Sequence, residues 1–229
     1  MTPEITISLD AMGGDAAPGM VVGGAALARE RHPNVRFLLF GDEARITPLL
    51  SRHRSLRDAA SVRHTDQQVK STDRPSQALR QGRQTSMRLA IDAVASGEAG
   101  GVVSAGNTGA LMAMSKFVLK PMKGIDRPAL CGFLPTLRGE SVMLDLGANV
   151  ECDEDNLVQF AIMGAAFART ILGLPRPTVG LLNVGEEELK GNEAVKGAAA
   201  ILNSAALPLR FHGFIEGNDI AKGTTDVVV

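Results

Sequence analysis

Ile5-Thr6-Ile7-Ser8-Leu9-Asp10-Ala11-Met12-Gly13-Gly14-Asp15 is the stretch whose reading decides the fold. Ile5 to Leu9 alternates apolar and polar side chains with period two, which is the pattern of a β-strand. The paired glycines then permit a tight turn in which backbone N–H groups approach an anion closely. Beyond the turn, Met20 to about Arg31 is dominated by Val, Ala, Gly and Leu and reads as an apolar helix. A strand, a glycine-rich turn and a helix make the first part of a βαβ unit, whose next strand runs parallel to the first.

The pattern repeats along the chain. Strands are expected at Val35–Phe40, Ser61–His64, Gly101–Val103, Leu130–Leu134, Ser141–Leu146, Thr178–Val184, Arg210–Ile215 and Asp226–Val229. Helices are expected at Glu43–His53, Gln84–Ser96, Ala110–Leu119, Leu157–Leu172 and Ala194–Asn203, with Met87, Ile91 and Val94 on one stripe of the second. This alternation predicts an α/β fold: a doubly wound, largely parallel sheet with helices on both faces. Residues 1–229 read as a single domain with a polar excursion or flap at about 66–83, which contains Pro75. Asp226–Val229, a buried-type strand at the end of the sequence, is expected to be a cut through a domain whose native chain continues. In such sheets ligands bind beyond the carboxyl ends of the strands, so functional residues are sought in the strand-to-helix turns.

Composition narrows the function classes. The 229 residues carry a formal net charge of −1, with no Trp and no Tyr, which argues against nucleic acid as a partner. Two cysteines, Cys131 and Cys152, are too few for a disulfide framework and fit a reducing, cytoplasmic compartment. No apolar run reaches the ~18 residues of a membrane span. His32, His53, His64 and His212 share no ligand spacing, so neither a metal nor a cofactor is expected. Charge is uneven nonetheless. Residues 52–90 are rich in Lys and Arg, and Arg74, Arg80 and Arg83 make a candidate landing site for an acidic partner, or else a solvated basic helix.

Five turns hold the candidate site residues. The first offers Asp10, Gly13, Gly14 and Asp15; it is not a Walker A loop, because Met20 stands where lysine is required. The second, Ser104-Ala105-Gly106-Asn107-Thr108-Gly109-Ala110, offers Ser104, Gly106, Asn107, Thr108 and Gly109, short polar groups and exposed amides suited to a phosphate or an oxyanion. It has neither the dinucleotide spacing nor the G-x-S-x-G elbow, so Ser104 is not read as a nucleophile. The third, Asp145 to Asn149, offers Asn149. The fourth, Asn183 to Glu193, offers Glu186, Lys190 and Asn192, and the fifth offers Asp219. For each, helix capping or turn closure is the competing structural reading.

Together, and in this order, Leu9-Asp10-Ala11-Met12-Gly13-Gly14-Asp15, Ser104 to Ala110, Asn183 to Gly191 and Asp226-Val227-Val228-Val229 resemble the motifs of the bacterial phosphate acyltransferase (PlsX) family. The resemblance runs along essentially the whole chain. It implies transfer of a fatty acyl group from acyl-acyl-carrier-protein to inorganic phosphate, giving acyl-phosphate for phospholipid synthesis. It also implies a fold like those of phosphotransacetylases and isocitrate/isopropylmalate dehydrogenases, a homodimer, and loose association with the inner face of the plasma membrane. Because a thioester is already activated, phosphate attacks it directly if the protein aligns it and stabilises the oxyanion. On this reading Asn107, Lys190 and Asn192 act on the carbonyl or the anion, the other turn residues hold phosphate and substrate, and Arg74, Arg80 and Arg83 meet the carrier protein. The alternatives are a phosphotransacetylase using a coenzyme A thioester, a nicotinamide-dependent decarboxylating dehydrogenase drawing on Asp145, Glu186 and Asp219, and a non-catalytic ligand-binding protein.

Overall fold

A computed structural model describes residues 4–185, 187 and 190–229. The chain packs as two compact units, one reaching to Pro121 and the other running from Met122 to Val229. Each has its own sheet and core. The alternation of strands and helices continues across residue 121, so the pattern carries no mark of the change of sheet.

In the first unit, β1 (Ile5–Asp10), β2 (Val35–Gly41), β3 (Ala60–His64) and β4 (Gly101–Val103) form a fully parallel sheet in the order β3-β2-β1-β4. Its helices are α1 (Gly19–Arg31), α2 (Glu43–Leu50), α3 (Pro75–Gln81), α4 (Ser86–Ala95) and α5 (Thr108–Leu119). Strand β2 shows why both faces are covered. Phe37 and Leu39 join the cluster around Val22, Ala25 and Ala26 of α1, whereas Leu38 and Phe40 join the one around Ala90 and Ala93 of α4. Burying a Leu or Phe side chain stabilises by about 1.5–3 kcal/mol. Ser8, fully buried on the α4 side, donates its hydroxyl to Ala90 O at 2.7 Å.

The second unit contains β5 (Cys131–Thr136), β6 (Gly139–Leu144), β7 (Thr178–Leu182), β8 (Arg210–Ile215) and β9 (Val227–Val228), in the order β5-β6-β9-β7-β8. Only the hairpin partner β5 is antiparallel to its neighbour. Helices α6 (Glu154–Ile171), α7 (Glu193–Ser204) and α8 (Gly217–Lys222) complete it. The strand expected at Asp226–Val229 is the centre of this sheet: Val227 faces Val142 on one side and Val179 on the other. Gly164 of α6 lets the helix sit on it, since a Cβ there would come within 2.6 Å of Val227 Cγ1.

The polar excursion at 66–83 is a packed part of the first unit. Thr65 Oγ1 donates to Gln84 O at 2.6 Å, and Ser86 N donates to Gln67 O at 2.9 Å. Within it, α3 begins at Pro75, whose missing N–H suits a first helical position. Its Ala78 joins Met87, Ile91, Ala110 and Met114 in a small core.

Candidate functional site

The β1–α1 bend and the β4–α5 bend lie at the carboxyl ends of neighbouring strands, and Asp10 ties them together. Its buried carboxylate accepts the Ser104 hydroxyl at 2.7 Å, the Ser86 hydroxyl at 2.6 Å and Met12 N–H at 3.3 Å. Ser104 Oγ accepts Gly106 N–H at 3.1 Å, so the tie runs from β1 through β4 into the second bend. Backbones meet closely here: a Cβ on Gly106 would lie 3.3 Å from Gly13 Cα. At Gly14 the chain turns through the left-handed region, with φ of 101°.

These bends wall a cavity of about 890 Å³. Met12, Gly14 and Asp15 line it from the first bend, and Ala105 to Gly109 from the second. Residues 68–72 line it as well and bring Lys70; α2 brings Arg45, whose guanidinium donates to Ala17 O at 3.2 Å. The first-turn N–H groups of Thr108 and Gly109 have no intrahelical acceptor, and a helix N-terminus adds positive potential at the rim. The cavity therefore offers two cations, an amide edge and one acid, Asp15. That donor set suits a phosphate-sized anion.

Asn107 holds this arrangement together. Its Oδ1 accepts Ala110 N–H at 3.0 Å and caps α5. Its Nδ2 donates to Lys70 O, Ser71 O and Asp73 O at 3.3, 3.2 and 2.9 Å. The side chain is thus committed to the loop that carries Lys70, and the N–H groups of Gly13 and Gly106 are likewise bonded, to Asp10 O and Ser104 Oγ. Gly109 is needed for packing, because a Cβ there would lie 2.7 Å from Pro75 Cγ.

The second unit's candidates are each tied to their own turn. Asp145 accepts N–H groups from Leu130, Ala148 and Asn149, and the Asn149 amide donates to Asp145 Oδ2 and Pro128 O. Asn192 caps α7 through Val195 N–H at 2.9 Å. Exposed Lys190 pairs with Glu187 at 3.1 Å. The Glu187 carboxyl is held below its ordinary pKa, first by its own backbone N–H and then by Lys190. Buried Asp219 completes the box that opens α8. Glu216 N–H, before Lys222 and Thr224, lowers its pKa. Glu186 lies outside the described residues.

The first unit thus gathers Gly14, Asp15, Gly106, Asn107, Thr108 and Gly109 at one cavity, with Asp10, Gly13 and Ser104 beneath them. Arg74, Arg80 and Arg83 are exposed around α3, with no ion-pair partner among the described residues. Arg45 was not anticipated as a site residue, and Lys70 only as part of the basic stretch. Arg45 follows the carboxyl end of β2, so the strand-end rule applied to that turn finds it. Among the described residues no His/Cys/Asp/Glu group has a metal-holding arrangement.

A family model described as "Fatty acid synthesis protein" matches residues 5–229. The phosphate acyltransferase of Rhodospirillum centenum is 64% identical over 229 residues, covering 100% of this chain and 64% of its own length. That of Paramagnetospirillum magneticum is 60% identical over 229 residues, with 100% and 65% covered. The chain thus spans just under two thirds of these relatives. Among solved structures, a phosphotransacetylase from Streptococcus pyogenes superposes with a TM-score of 0.69 at 16% identity, covering 99% of this chain and 77% of that one. The EutD phosphotransacetylase from Staphylococcus aureus gives 0.67 at 18%, with the same coverage. At these identities the likeness speaks for the fold.

Proposed function

The chain belongs to the fatty acid synthesis protein family, and from that membership we propose that it forms the phosphate-holding part of an enzyme that moves a fatty acyl group from acyl-acyl-carrier-protein to inorganic phosphate. The observation that carries this reading is the first-unit cavity, where Arg45, Lys70 and the amide edge at Thr108 and Gly109 converge.

The chemistry asks little covalent work of the protein. A phosphate oxygen attacks the thioester carbonyl, the C–O bond forms, and the tetrahedral oxyanion collapses with loss of the carrier's thiolate, which takes up a proton from water. The products are acyl-phosphate and the free carrier thiol. Arg45 and Lys70 hold the phosphate, and alignment supplies much of the rate because attack within a bound pair replaces a collision. An amide donor aimed at the oxyanion lowers the barrier by about 2.7–4 kcal/mol. Ser104 needs no nucleophilic role, since its hydroxyl already bridges Asp10 and Gly106.

Acyl-phosphate detected by mass spectrometry, from a palmitoyl-carrier thioester and phosphate, tests the reading in this chain and in a full-length version. A folded full-length protein that forms none overturns it, and a preference for the coenzyme A thioester makes it a phosphotransacetylase. Arg45→Ala with Lys70→Ala is expected to raise KM for phosphate by about ten- to a hundredfold and leave KM for the thioester unchanged, the loss of charge-assisted bonds worth about 1.5–3 kcal/mol.

The carrier protein belongs to the same reading. Arg74, Arg80 and Arg83 are exposed and flank the loop that walls the cavity, which suits an acidic partner whose thioester must reach it. Charge reversal at Arg80 and Arg83 is expected to raise KM for the carrier thioester several-fold at low salt and not that for a coenzyme A thioester. An unchanged ratio between the two donors removes this face from docking. A homodimer, a cytoplasmic setting and a loose membrane contact are supported by the family resemblance; among the described residues no helix is long and apolar enough to cross a membrane.

A further inference from the structure

We propose that the apolar groove beside α1 receives the hydrocarbon tail of the acyl donor; this rests on the acyl-transfer reading above. The groove has a volume of about 470 Å³ and almost entirely apolar walls. Its origin lies in how the first sheet is covered. Leu9 of β1 pairs in register with Val103 of β4, so both side chains stand on the same face. Helix α1 covers Leu9, which is 5% exposed, and stops short of Val103, which is 57% exposed. A trough is left between the helix and the edge strand.

One face of α1 forms the long wall, with Met20, Val21, Gly24, Ala25, Ala28 and, at the far end, His32. From Met20 to His32 the wall runs about 18 Å at 1.5 Å per residue, an elongated shape suited to a flexible chain. The groove opens where the reaction would occur. Ala105 lines both the groove and the polar cavity, and the left-handed bend at Gly14 stands between them. A Cβ at Gly14 would lie 3.0 Å from Met20 Cε and 3.2 Å from Ala105 Cβ, so these residues make the partition. A thioester carbonyl placed at this partition has phosphate on one side and its hydrocarbon on the other. Methionine at the junction is apt, because its unbranched thioether adapts to irregular apolar contacts. Burying methylenes there removes apolar surface from water, so affinity rises with chain length.

Gly24 provides the test. A Cβ at Gly24 meets nothing within 4 Å, so leucine there fits the helix while its side chain enters the trough. Gly23, one residue earlier and equally open, does not line the groove and is the control. In the full-length protein, Gly24→Leu is expected to lower kcat/KM for a palmitoyl-carrier thioester about tenfold, to leave a butyryl donor and KM for phosphate unchanged, and to displace a fluorescent long-chain fatty acid that the wild type binds. Gly23→Leu should match the wild type in all of these. Equal losses on long and short donors, or none, overturn the groove assignment; so does a fall in melting temperature confined to Gly24→Leu, which shows that protein rather than ligand fills the trough. If the wild type forms acyl-phosphate from no donor, the acyl-transfer reading fails by itself, and fatty-acid binding in wild type against Gly24→Leu still decides the groove.

Discussion

Gly13→Ala is expected to lower turnover about a hundredfold and the melting temperature of the first unit by about 10 °C, the largest effects of any single methyl group added at the two bends. The added Cβ would fall inside contact distance of Asp10 Oδ2 and 2.9 Å from Ser104 Oγ. Neither atom has room to retreat, because Asp10 is fixed by the hydroxyls of Ser86 and Ser104, and Ser86 is fully buried. Either the carboxylate leaves its partners or the bend lifts from the sheet. Hydrogen bonds to a charged group contribute about 1.5–3 kcal/mol each, and overpacking adds about 1–3 kcal/mol, so a loss near 3 kcal/mol is the expected scale. The two bends share the Asp10 tie, so lifting one also displaces Gly106 and the amide edge of α5. Gly19→Ala, where the new methyl meets nothing within 4 Å, should leave both quantities near wild type. Thermal unfolding and acyl-phosphate formation measure the two effects. A Gly13→Ala protein that melts and turns over like wild type would show that Asp10 does not hold the bends together.

How far this was legible in the sequence depended on whether the signal was local. The strand at Ile5–Leu9 and its glycine turn were readable because period-two alternation and paired glycines follow from backbone geometry alone. Helix α3 was not, because it buries chiefly Ala78 and has no apolar stripe; its place comes from Pro75 packing at Gly109 and from Asn107 holding the preceding loop. The division into two units was hidden for a related reason: a connection between sheets looks like one within a sheet. At the site, short polar residues before a helix signal either ligand binding or a cap, and the sequence cannot separate them. Asn192 is a cap, Asn107 is a cap that also anchors a distant loop, and only the second use needs a fold to be seen. Arg45 reaches the cavity from a helix whose own pattern gives no hint of it.

That double use makes Asn107→Asp the sharper variant at this position, and it is expected to reduce turnover by about two orders of magnitude with α5 intact. Aspartate caps a helix as well as asparagine does, so the bond from Ala110 N–H at 3.0 Å survives. The other end of the side chain fails. Where an amide donated to the carbonyls of Lys70, Ser71 and Asp73, a carboxylate oxygen now meets three acceptors and no donor. Losing a neutral hydrogen bond costs about 0.5–1.5 kcal/mol, and the facing oxygens add repulsion, so the loop at 68–73 comes away and takes Lys70 out of the cavity wall. Asn107→Ala loses the cap as well as the anchor, so it frays α5 where Asn107→Asp does not. Hydrogen exchange separates the two: faster exchange over residues 66–74 in both variants, and over the first turn of α5 in the alanine variant alone. Wild-type exchange over 66–74 in Asn107→Asp would mean that the loop is held by its ends, through Thr65 and Gln67, and that the cations of the cavity do not depend on this amide.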